Sequence, residues 1–301
     1  TDHAIFDAVR GVTKELRPNK TDYEDTASNG LTAFGTDGFT LGDWFVVNAN
    51  SATFVSWNWK VNGSGSSNSD GSTSSTVSAN TTSGVSLVKH TGTGSATNIG
   101  HGLGVAPKIV ISKRTNSANA WIFQSTLVAD SWTSSNYLIL NTTAAVASST
   151  TIVDAASSST ISFDGSDDWV NASSDTYMHY IFTPKQGFSA MGTYKGNGNA
   201  DGVFIYTGFR PAFIMTKKTS GTGPWHLYDN KRDIDNPIKE KLVVNEVDAE
   251  ATGSAECDFC ANGVKIRASG SDVNGSGATF IYIAFAEAPF VNSNGVPCNA
   301  R

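Results

Sequence analysis

Five histidines, a Cys-x-x-Cys pair, one acidic loop and several loop tryptophans are the groups in this chain that could carry chemistry. The histidines are His3, His90, His101, His179 and His226. None stands in HxxxH or HExxH spacing, so no two imidazoles share a helix face as zinc ligands. No GxSxG nucleophile turn and no phosphate-cradling glycine loop occurs. Cys257 and Cys260 have the spacing of a zinc or redox pair, but no second pair completes a zinc site. Asp164, Asp167 and Asp168 crowd one loop, where carboxylate oxygens would suit Ca²⁺. Trp44, Trp132 and Trp169 lie in polar stretches. From such loops an indole face could stack on the apolar face of a sugar ring, which makes these three the candidate carbohydrate-binding residues.

The chain tests these candidates against itself, because it repeats. Val105-Ala106-Pro107-Lys108-Ile109-Val110-Ile111-Ser112-Lys113-Arg114 recurs as Phe209-Arg210-Pro211-Ala212-Phe213-Ile214-Met215-Thr216-Lys217-Lys218. Trp121 and Asn141 recur as Trp225 and Asn245. A second block occurs three times, at Asn48 to Trp59, Asn171 to Phe182 and Asn274 to Phe285. Aligning Glu24-Asp25-Thr26 with Glu250-Ala251-Thr252 sets Leu31 opposite Cys257 and Phe34 opposite Cys260. Apolar residues hold the cysteine positions in the sister copy, so the pair reads as core filler. His101 has no sister histidine. His179 faces Ser56 and Tyr282 across the alignment and is expected at a surface or interface. The acidic loop keeps only its turn in the sister segments. No catalytic residue and no metal site is expected, and no cofactor.

The elements that must hold these residues are strands. Apolar residues alternate in Thr53 to Trp59 (Val55, Trp57, Trp59), in Thr176 to Phe182 (Met178, Tyr180, Phe182) and in Thr279 to Phe285 (Ile281, Ile283, Phe285). Alternate residues point to one face of a sheet, so each set is expected to form a core stripe. Ile109 to Ser112 and Phe213 to Thr216 read as central strands opened by proline. Asp37-Gly38 and Asn262-Gly263 look like hairpin turns with positive φ. Many short strands between turn residues predict an all-β chain of tandem, jelly-roll-like β-sandwich domains.

The expected organisation is the later part of an incomplete first sandwich in residues 1–60, a Ser/Gly/Asn-rich linker in 61–84, complete repeats in 85–187 and 188–290, and a polar tail in 291–301. A rival reading makes Thr76 to Asn80 a strand of the repeat that follows. The incomplete first repeat predicts either that the polypeptide continues before Thr1 or that another chain supplies the missing strands. A net charge of −6 argues against a nucleic-acid surface. No run of about 18 apolar residues is present, so no membrane insertion is expected. No signal peptide is recognisable. Three cysteines make an odd count, with Cys298 in the tail, and the chain does not depend on disulfides.

The run Gly100 to Lys108 with its apolar strand resembles a repeated domain of uncharacterised function in virion proteins of marine podophages. So do Tyr206 to Phe213, Trp225-His226-Leu227-Tyr228-Asp229, Asn262 to Ile266 and Thr279 to Phe290. That resemblance implies a non-enzymatic structural protein of a tail fibre or surface appendage. It would be made in the host cytoplasm, carried on the virion surface, and engaged with other virion proteins. Contact with a host glycan or envelope would be its outward role, and a homo-oligomer, trimeric as fibres commonly are, its assembly. A lectin-like module, a capsid decoration or head-fibre protein, and a polysaccharide depolymerase are the rivals. The depolymerase lacks paired carboxylates at sister positions.

Overall fold

The computed structural model describes residues 2–129, 131–132, 136–149 and 152–288. The chain divides into two compact units. Thr1–Asn141 with Ser148–Thr183 form the first, and Thr142–Ala147 with Pro184–Arg301 form the second. The fold is all-β and of sandwich type, built from antiparallel sheets.

In the first unit the larger sheet includes, in spatial order, Asn136–Ile139, Ile122–Ser125, Ile109–Arg114, Thr176–Phe182, Val85–Thr91, Ser75–Asn80 and Ser66–Asn68. A smaller sheet of Val153–Ala156, Thr160–Phe163 and Thr97–Gly100 belongs to the same unit. Val88, Ile99, Val110, Ile122, Ile161, Phe163 and Ile181 form the centre of its hydrophobic core. The second unit repeats this plan in one continuous sheet. Its order is Ser189–Lys195, Thr279–Ala286, Pro211–Lys218, Trp225–Asp229, Ile238–Val243, Ala251–Cys260, Gly263–Ile266 and Phe204–Tyr206. Phe209, Ile214, Tyr228, Cys257, Phe259, Phe280 and Tyr282 lie at its core.

Three expectations are corrected. The stretch 61–84 is not a linker: Ser75–Asn80 pairs with Val85–Thr91, and Ser66–Asn68 extends the same sheet. Ser78 is fully buried there, so a polar composition did not mean a solvated coil. Thr53 to Trp59 forms no strand. Its sister Thr176–Phe182 lies between Ile109–Arg114 and Val85–Thr91, and strand geometry persists because both neighbours bond to it. Residues 1–60 contain no equivalents of those neighbours.

The third correction concerns which face meets the core. The expected stripe Met178, Tyr180 and Phe182 lies on the outer face, and Ile181 and His179 point into the sandwich. The second unit matches, with Phe280, Tyr282 and Ala284 in its core. Both faces of these strands are buried, so alternation could not say which was inner. In the first unit the outer face is covered by the N-terminal strands Ile5–Asp7 and Gly11–Leu16. Tyr180 donates to Asp7 Oδ2 at 2.8 Å, and Glu24 N–H bonds to Thr115 O at 2.9 Å.

The hairpins form at both predicted places, although neither Gly38 nor Gly263 has positive φ. At Gly263 close approach demands glycine instead, since a Cβ would collide with Ile205 O and the Phe204 ring.

One asparagine organises the same corner of each unit. Asn171 Nδ2 donates to Ser95 O at 2.7 Å and Gly165 O at 2.9 Å, while Oδ1 accepts from Thr93 N–H at 3.0 Å. Asn274 Nδ2 donates to Asn199 O at 2.8 Å and Ala268 O at 2.9 Å, and Oδ1 accepts from Asn197 N–H at 2.9 Å. Each side chain is fully buried. Asn171→Ala strands several backbone groups, so we expect a loss of about 2–3 kcal/mol. It should be read as a lower urea midpoint at unchanged slope.

Candidate functional site

Ser112, His179 and His90 meet in the first core as a linear relay. Ser112 Oγ is 2.8 Å from His179 Nδ1, and His179 Nε2 is 3.0 Å from His90 Nδ1. A serine on a histidine held by a second group is the arrangement of an activated nucleophile. Burial decides against that use. Ser112 and His179 are 0% exposed and His90 is 3%, so a substrate cannot reach Oγ without opening the core. Desolvation holds His90 at about 4 and, together with the neighbouring His90 ring, pushes His179 well down. Both rings are therefore neutral near pH 7, and the relay is a buried core network. The second unit has Thr216, Tyr282 and Tyr194 at these positions, with no base among them.

A second arrangement is built twice with the same partners. Lys113 Nζ donates to Thr21 O at 2.9 Å and Asn119 O at 2.6 Å, and the Asn119 N–H also bonds to Thr21 O. Lys217 Nζ donates to Thr143 O at 3.2 Å and Gly223 O at 2.7 Å, and the Gly223 N–H bonds to Thr143 O. Each ammonium lies 5.9 Å from the ring centre of a buried tryptophan, Trp121 or Trp225. Asn141 and Asn245 accept the backbone N–H of that tryptophan at 2.9 and 2.8 Å. Desolvation by burial lowers both lysines to about 8, against the smaller opposing pull of Asp22 on Lys113 and of Asp272 on Lys217. Thr21 and Thr143 each stand two residues after an equivalent asparagine, Asn19 and Asn141. Each clamp thus holds the segment that follows the preceding repeat's asparagine.

The second unit also carries an open cavity of about 400 Å³, lined by His226, Lys241, Glu256, Arg267 and Asp272 among others. Lys241 Nζ and Glu256 Oε1 pair at 3.0 Å on its wall, and Arg267 Nε bonds to Asp258 Oδ2 at 2.6 Å. His226 is 5% exposed, and neither ring nitrogen has a hydrogen-bond partner.

A family model described as a domain of unknown function, DUF7483, matches residues 1–289. The chain belongs to the DUF7483 family. No curated protein and no solved structure matches it. The match runs across both units of this DUF7483 chain.

The three candidate tryptophans are placed apart in kind. Trp132 and Trp169 are half-buried and pack against the first core, Trp169 with its ring 5.1 Å from Tyr137. Trp44 lies 5.2 Å from the Phe45 ring, at the start of the short helix Phe45–Asn48. His101 is fully buried, its Nδ1 accepting from Leu103 N–H and its Nε2 meeting Ser157 O. His179, expected at a surface or interface, is instead central. In the acidic loop Asp167 Oδ1 accepts the Trp169 N–H at 2.7 Å, a turn bond. Among the described residues no group of three or more His, Cys, Asp or Glu could hold a metal ion. Cys257 is a buried core residue and Cys260 is half-buried, both as free thiols. Cys298 and the tail 291–301 lie outside the described residues.

Sequence reasoning missed the lysine clamp in this DUF7483 chain. Lys113 and Lys217 are buried charges at strand ends, and each follows an apolar run and precedes a shared tryptophan by eight residues. That joint recurrence was the available signal. It also missed Asp7 with Arg10 and Asp229 with Arg232, each an aspartate that caps two N–H groups and grips an arginine three residues on.

Proposed function

We propose that this chain is a non-enzymatic structural protein of a phage virion, part of a tail fibre or surface appendage, that provides spacing and host-surface contact. The observation that carries this reading is the lysine–tryptophan clamp, built twice on equivalent residues. Such a clamp fastens a segment of one repeat by backbone acceptors alone, so it tolerates sequence change in the segment it holds. A tandem scaffold with that property suits display from variable loops. Several copies on one particle would convert weak loop contacts into avidity. The motif resemblance to podophage virion proteins supplies the setting, with other virion proteins and a homo-oligomer, trimeric by analogy with fibres, as partners. Its localisation would then be the virion surface.

Gold-labelled antibody against this chain, applied to purified particles of a phage that encodes it, tests the reading. Label at the tail appendage is expected. Label confined to the head would select a decoration protein, and clean particles without the polypeptide would sink both. For the lectin-like rival, binding on a glycan array should be lost in Trp132→Ala or Trp169→Ala. Since those rings pack on the core, the melting curve of each variant must accompany the array.

A further inference from the structure

The cavity of the second unit exists because three core fillers of the first unit have been exchanged. Strand register sets Ile122 opposite His226, through their pairing with Ser112 and Thr216. The next pairing sets Tyr137 opposite Lys241. The shared Asn171 and Asn274 set Trp169 opposite Asp272, two residues before each asparagine. In the first unit Ile122, Tyr137 and Trp169 fill this space as part of one hydrophobic cluster. In the second unit the same three places line a hollow of about 400 Å³.

Losing that packing costs stability, and leaving a buried imidazole unsatisfied costs more. His226 is the sharpest sign. Its ring stacks on Tyr228 at 6.2 Å, it is 5% exposed, and both nitrogens stand without a partner at the cavity wall. Burial holds it at about 4, so near pH 7 it is neutral and offers one donor and one acceptor. Around it stand two bases, Lys241 and Arg267, and two acids, Glu256 and Asp272, with the hydroxyls of Ser254 and Ser269. The lining therefore sums to no net charge. An anion would meet two carboxylates, and a cation would meet two bases. A neutral ligand dense in hydroxyls can pair with both signs and with the imidazole. The volume falls within the range of small-molecule sites.

We propose that this cavity is a binding site for one neutral, polyhydroxylated sugar unit, anchored by His226 with Lys241, Glu256 and Asp272. The inference goes beyond the structural role proposed above and does not rest on it, since the purified chain can be assayed wherever it resides in nature.

The test is titration calorimetry of the full chain with free hexoses and N-acetylhexosamines, with the histidine ring resonances followed by NMR. At least one neutral sugar should bind saturably at millimolar concentration and shift the His226 ring signals. Lys241→Tyr, a change at a half-exposed position, should weaken that sugar by about tenfold. The triple variant His226→Ile, Lys241→Tyr, Asp272→Trp restores the first unit's fillers and should abolish binding while melting no lower than the parent. Uronates and zwitterionic amino acids run as parallel arms. Saturation by those alone overturns the neutral assignment. Absence of any saturable neutral sugar, or one indifferent to Lys241→Tyr, overturns the site.

Discussion

Trp121→Ala should lower the stability of the first unit by about 3–5 kcal/mol, the ordinary cost of emptying a large buried aromatic site. Trp121 is completely buried, and its Nε1–H donates to Arg17 O at 2.9 Å. Its ring also packs 5.9 Å from Tyr180 and 5.9 Å from the Lys113 ammonium. The truncation therefore removes packing, a hydrogen bond and a cation–π contact from a place where the N-terminal segment grips the sheet. For a unit of this size the melting temperature should fall by about 10 °C. Trp121→Phe keeps most of the apolar area but orphans the Arg17 carbonyl, and should cost less, about 1–3 kcal/mol. Hydrogen exchange resolved by peptide would show the N-terminal strands losing protection first. Should Trp121→Ala melt within a degree or two of the parent, the clamp is ornamental.

Acid should weaken the first unit well above the range where carboxylates titrate. His90 is held at about 4 and His179 well below its usual value, chiefly by desolvation. An unfolded chain returns both to about 6.5. Between those values the unfolded state holds more protons than the folded one, so stability is fully present above about pH 6.5 and falls as the pH drops towards 4. His90 alone accounts for about 3 kcal/mol over that window, and His179 adds to it. The second unit shows how to remove the effect, since Tyr194 and Tyr282 stand at the sister positions. His90→Tyr with His179→Tyr should flatten the pH dependence of the first unit's urea midpoint while leaving it folded at pH 7. Exchange in peptides of the first unit separates its response from that of His226, also held at about 4 in the second unit. A double variant with the parent's slope would assign the acid sensitivity elsewhere.

Much of the strand inventory was legible because period-two alternation, proline at a strand start and turn residues act locally. Thr176–Phe182 and Thr279–Ala286 form where alternation placed them, and the alignment that set Leu31 opposite Cys257 also sets Lys14 opposite Glu240 in the observed ladders. Thr53 to Trp59 has the same pattern and no strand, because a strand's hydrogen bonds belong to its neighbours. The polar segment Ser75–Asn80 became sheet for the converse reason: its backbone found Val85–Thr91 beside it, and Ser66–Asn68 then paired with its other edge.

By itself, then, the sequence determined the all-β class, the repeat and the positions that correspond between copies. Those are properties of residue order. Tertiary structure alone decided which side of Thr176–Phe182 meets the core, that Lys113 and Lys217 are buried, and that three exchanged fillers open a cavity around His226. Such outcomes depend on what covers a face and what fills a volume, and residues far apart in the chain, such as Asp7 with Tyr180 or Thr21 with Lys113, supply them.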